Sequence, residues 1–150
     1  MRLGPESAFV YRVDPGSRLA LARMTGRLSG EDMLAIVETV HEDPDWESDF
    51  DAIWDCSRVS AHIVLPTDVG PILRETIEGQ TGRDVLVESR SLGESLFSKM
   101  LALTARVRGK EAHSCHTLAD ALAVLDRTEL PPALDLAPPK ATEREREQAS

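Results

Sequence analysis

The sequence predicts one α/β domain: a mixed, mostly parallel five-stranded sheet with an N-terminal antiparallel hairpin and about four flanking helices. Three observations lead there. From Phe9 to Asp126 the chain reads as a strand hairpin, then three repeats of a helix followed by a short strand, then a last helix. Strands alternating with helices imply right-handed crossovers and parallel pairing. A chain of 150 residues, 41% of them hydrophobic, can bury one sizeable core.

Each element has a local reason. Residues 1–7 read as a flexible lead. Residues 8–13 alternate and are rich in β-formers, and Asp14, Pro15, Gly16 and Ser17 form a turn into a second strand from Leu19 to Met24. Gly26 to Gly30 ends that strand. Ser29 is the expected N-cap of a first helix, with Asp32 at capping-box spacing and Met33, Ile36, Val37 and Val40 on one face. Asp43 and Pro44 break it. Residues 52–56 form a short buried strand, and residues 57–65 its loop. A second helix follows Pro66, capped by Thr67 or Asp68, with Val69, Ile72, Leu73 and Ile77 inward; Pro71 is tolerated because it lies in the first turn. Residues 84–88 are the next strand. Ser91 and Glu94 repeat the capping spacing before Leu96, Met100, Leu103 and Val107, and Gly109 stops that helix. Residues 111–115 form a weak strand near an edge, and Thr117 caps the final helix. The domain is expected to span residues 8–128, and residues 129–150, rich in proline and charge, to be a disordered tail.

Composition excludes several classes. Aromatic residues are 4% of the chain, too few for a platform on which bases stack. The net charge of -9, with a pI near 4.9, repels a phosphate backbone in the absence of a basic run. No apolar stretch is long enough to cross a bilayer, and no leader pattern opens the chain, so a cytoplasmic location is expected. Cys56 and Cys115 are the two cysteines, expected as reduced, buried thiols.

The spacing of short motifs resembles the SpoIIAA-like group of bacterial proteins, related to STAS and SEC14-like domains. Gly26-Arg27-Leu28-Ser29 is similar to the group's G-x-L-(S/T) signature. Asp43-Pro44-Asp45-Trp46 followed by residues 53–59 is similar to its P-x-W … D-L-R-x-V passage. Lys99-Met100 resembles its A-R-M stretch, and Ser114 to Thr117 with Ala119, Ala121 and Leu125 resembles its closing pattern. The resemblance covers about Phe9 to Asp126. It implies a mixed sheet flanked by helices. The STAS relation implies a non-enzymatic regulatory or protein-interaction module, and the SEC14 relation implies a pocket for a lipid or other apolar ligand. STAS anti-sigma-factor antagonists carry a phosphorylated serine within D-S-S-G-L after the third strand. Here residues 61–66 occupy that stretch with neither serine nor glycine, so that switch is not expected.

Ligands of such sheets sit at the carboxyl ends of the strands, which makes Asp55, Arg58 and Arg90 the candidate polar residues. Asp55 has the position of a general base but no nucleophile paired with it, and reads better as an acceptor for the backbone after the strand. Arg58 and Arg90 suit a carboxylate or phosphate. Phe97 extends the Leu96 and Met100 stripe, either walling a cavity or meeting another subunit of a homodimer. His113, Cys115 and His116 have metal-like spacing but lack a fourth ligand, so no metal is expected. The acids from Glu42 to Asp51 fail the EF-hand pattern, with Ser48 at the glycine place and Trp54 at the glutamate place. The glycines form no phosphate loop, so no nucleotide cofactor is expected.

Overall fold

The computed structural model describes residues 6–89 and 96–136. Five strands form one sheet in the order β1-β2-β3-β4-β5: β1 (Ser7–Asp14), β2 (Leu19–Ser29), β3 (Asp51–Ile63), β4 (Asp84–Glu88) and β5 (Ala112–Cys115). β1 runs antiparallel to β2, and every other neighbour is parallel. The helices are α1 (Gly30–His41), α2 (Pro66–Ile77), α3 (Leu96–Val107) and α4 (Leu118–Val124), followed by a single 3-10 turn (Pro132–Leu134). This is the mixed five-stranded, four-helix architecture that the sequence predicts.

Strand alternation divides the core between the two faces of the sheet. Ala20, Ala22, Met24, Ala52, Trp54, Cys56 and Leu86 point to the face covered by α1, α2 and α3. Leu19, Leu21, Ile53, Val85 and Val87 point to the other face, where Ala121, Leu122 and Leu125 cover them. The capping of α1 is as expected. Ser29 Oγ accepts from Asp32 N at 3.0 Å, and the Asp32 carboxylate accepts from Ser29 N at 3.1 Å. Thr117 caps α4 by accepting from Asp120 N at 3.0 Å.

Five expectations are corrected. β2 does not end near Gly26: that glycine sits at φ +85, where a Cβ would collide with the Glu6 carbonyl, and the strand bends there and continues to Ser29. β3 does not end at Cys56 but runs to Ile63, because the continuing β2 pairs with it from Thr25↔Arg58 to Ser29↔Ile63. The loop expected at residues 57–65 is therefore largely strand. α2 is capped at Leu65 rather than at Thr67 or Asp68, with the Asp68 carboxylate reaching back to accept from Leu65 N at 2.8 Å. Residues 129–136 do not begin a disordered tail. Leu134 is fully buried, and Leu130 and Leu136 pack against the same cluster, because among the described helices the short α4 alone covers the second face. At the other end, Ser7 already belongs to β1 rather than to a lead.

The fully buried Leu134 anchors this last segment. Leu134→Ala should cost about 2–4 kcal/mol in urea unfolding, the range for deleting a packed leucine. A loss of under about 0.5 kcal/mol, the size of a surface substitution, would show that the segment does not contribute to the core.

Candidate functional site

The carboxyl ends of the strands are uneven. β4 pairs with β3 only as far as Cys56↔Glu88, and β5 with β4 only as far as Val87↔Cys115. β2 and β3 continue together as an arm, flanked by β1 on the β2 side as far as Gly26, so among the described residues β3 has β2 as its one strand neighbour from Ser57 to Ile63 and the tip from Arg27 and Ala61 onward is two-stranded. Ser57, Arg58 and Ser60 are exposed on this arm while Val59 is buried against the core. Ile63 is 44% exposed, and Leu65, just beyond it, is 58% exposed.

Asp55 stands where the arm leaves the sheet. Its side chain is buried, and both oxygens are engaged. Oδ2 pairs with Arg23 Nε at 3.1 Å across to β2. Oδ1 accepts from Ser57 N at 3.0 Å and from Ser57 Oγ at 2.6 Å. The bridge joins register partners on adjacent strands. A carboxylate held in this way fixes the arm and is poorly disposed to take a proton from a substrate.

The other candidates separate. Arg58 lies three residues further along β3, exposed, with no ion pair among the described residues. Arg90 and the Ser91–Glu94 capping pair lie outside the described residues. Phe97 belongs to α3, but its side chain is outside what is described. His113 pairs with Glu111 at 3.5 Å, His116 Nδ1 lies 3.3 Å from the Glu88 carbonyl, and the Cys115 thiol donates to the Thr117 carbonyl at 3.4 Å. Among the described residues, no three His, Cys, Asp or Glu side chains are grouped to hold a metal ion. Both cysteines are free, with Cys56 buried and Cys115 only half-buried. Burial beside the Asp55 and Glu88 charges pushes the Cys56 thiol up to about 12, which makes it a poor nucleophile.

Sequence reasoning missed a buried polar network at the opposite, amino end of the sheet. Lys110 Nζ pairs with Asp84 Oδ2 at 2.7 Å and donates to the Thr76 carbonyl at 2.8 Å. Trp54 Nε1 donates to the other Asp84 oxygen at 2.9 Å. Burial raises the Asp84 pKa, and the Lys110 charge opposes that rise. Nearby, His41 stacks on Trp46 with ring centroids 5.0 Å apart and meets Glu75 at 3.1 Å, tying α1 to α2. The available signal was the indole N–H of a core tryptophan, which requires a buried acceptor. The sequence separation between Trp54, Asp84 and Lys110 concealed which acceptor it was.

His41 yields a pH prediction. Burial lowers its pKa from 6.5, outweighing the upward pull of Glu75, and burial also lowers that of half-buried His62. A depressed folded pKa means that the stabilising contribution is present above pH 6.5 and is lost as pH falls through the folded value. Urea unfolding should show lower stability at about pH 5.5 than at about pH 7.5, and His41→Phe should reduce that difference. An unchanged pH dependence in the variant would show that His41 does not contribute.

No protein-family model matches the chain, and no curated protein sequence does. Among solved structures, it is similar to that of the anti-sigma factor antagonist SpoIIAA in its unphosphorylated form. The identity is 19% and the TM-score 0.45, over 79% of this chain and 98% of that one.

Proposed function

We propose that the chain is a non-enzymatic regulatory module of the cytoplasm that docks a protein partner on the arm at the carboxyl end of its sheet. One observation supports this above others. The acid at the strand ends is engaged in structural bonds, while Arg58 near the base of the arm, Ile63 at its end and Leu65 just past it are exposed. An arm that exposes an arginine and aliphatic side chains along its length suits a protein interface, where arginine is enriched and the centre is apolar. The free thiols fit a reducing compartment. No helix among the described residues is long and apolar enough to cross a membrane.

A second reading, a binder of small apolar molecules, draws on one feature. An apolar cavity lies between the sheet and α1 and α2, with Met24, Met33, Trp54, Cys56 and Ile72 in its lining. Thr76, the hydroxyl-bearing residue in that lining, donates its proton to the Ile72 carbonyl at 2.7 Å. The cavity holds about 30 Å³, roughly one water, whereas ligand pockets run to about 300–1,000 Å³. A ligand there would require α1 and α2 to part, which places this reading second.

Photo-crosslinking in the native host separates the two. A crosslinking residue at position 58, 63 or 65 should give a discrete protein adduct that is missing when it replaces Glu47 at the other end of the molecule. A homodimer would appear as an adduct of twice the chain mass. Absence of adducts at all three strand-end positions, together with a small molecule retained in native mass spectrometry, would transfer the function to the cavity.

A further inference from the structure

We propose that the outer face of α3, with the groove between α2 and the end of α3, is a second docking surface, and that its occupant is an acid-rich amphipathic segment of a partner protein. The surface is distinct from the strand-end arm. Residues 96–110 contain Lys99, Arg106, Arg108 and Lys110 and no acid, in a chain whose net charge is -9. Lys110 is used internally by Asp84. The other three are exposed.

Elsewhere the described arginines are largely neutralised: Arg18, Arg23, Arg27 and Arg83 each meet a carboxylate. Arg12, Arg58, Arg74, Lys99, Arg106 and Arg108 have no ion pair among the described residues, and the last four belong to this surface. Arg74 and Arg106 stand in the last turns of α2 and α3, where a cation complements the helix dipole.

Apolar groups accompany these charges. Leu103 is 66% exposed and Val107 81% exposed, four residues apart on one helix face. At the helical repeat Lys99, Leu103, Arg106 and Val107 fall within an arc of about 100°. Beside them, Leu73, Ile77, Arg74 and Arg108 line a groove of about 260 Å³, with Glu78 as its one acid. Cations around exposed aliphatic side chains complement a segment that alternates carboxylates with apolar residues. Two exposed aliphatic side chains are too few to anchor a helix in a bilayer, and a negative molecule is repelled by anionic lipid. The interleaved aliphatic groups, with no aromatic among them, also disfavour nucleic acid.

The test is fluorescence anisotropy on the full chain, using a synthetic amphipathic peptide of glutamate and leucine and the same peptide with lysine for glutamate. Duplex DNA and phosphatidylglycerol vesicles serve as comparators. The glutamate peptide should bind, and its affinity should fall as salt rises from about 0.05 to about 0.3 M. Binding should weaken at least about tenfold in the Lys99→Glu, Arg108→Glu double variant and in the Leu103→Ser, Val107→Ser double variant. Circular dichroism should show both folded, and Arg58→Ala should bind the peptide normally. Equal binding of the lysine peptide, preference for duplex or vesicles, or loss through Arg58→Ala in place of the charge reversal would overturn the proposal.

Discussion

The bridge between Arg23 and Asp55 is the interaction on which the carboxyl end of the sheet depends. It joins β2 to β3 just before β4 drops out of the sheet. Beyond it, β3 has β2 as its one strand neighbour among the described residues, while β1 still flanks β2 as far as Gly26. Past Gly26 two strands remain, and a two-stranded ribbon is marginal without a fixed base. The register shifts between Arg23 and Thr25 and between Gly26 and Arg27 bend the arm immediately beyond the bridge. The same bond that anchors the arm also occupies Asp55, so the fixed crossing and the engagement of that carboxylate have one cause.

The two ends of the sheet are built differently. At the amino end, Asp84, Lys110, Trp54 and the Thr76 carbonyl join β3, β4, α2 and the approach to β5 in one buried network. Its charges are already paired, and breaking a buried pair exposes the remaining partner to an uncompensated burial cost. At the carboxyl end, exposed arginine and aliphatic groups follow directly on a buried bridge. A firm base and a projecting end suit a module that presents a surface, since a shape held rigid before binding loses less freedom on association.

Much of the fold was legible because local chemistry agreed with tertiary structure. Ser29 with Asp32, Thr117, Gly109 and the Asp14–Ser17 turn each marked a boundary that the structure keeps. The length of β2 and β3 was not legible. Gly26 reads as a stop in sequence and acts as a bend, and residues 57–63 have weak alternation, so only their pairing with β2 makes them a strand. The burial of Leu134 was hidden for a related reason: its proline-rich surroundings resemble a tail, and the bare sheet face that it covers exists only in three dimensions. At the candidate site, the sequence identified Asp55 and Arg58 as strand-end groups. That Asp55 is bound, and that Arg58 has no ion pair among the described residues, follows from the cross-strand position of Arg23, which spacing along one chain does not reveal.

The most direct test of the central claim, that Asp55 serves structure, is a stability cycle on the bridge. Asp55→Asn and Arg23→Met should each destabilise the protein in urea unfolding, the first by about 3 kcal/mol, because each leaves a partly or wholly buried charge without its partner. The double variant should lose less than the sum of the two. If Asp55→Asn is as stable as the parent or more so, the bridge does not hold the arm, and Asp55 is better regarded as an acid kept for function at a cost to stability.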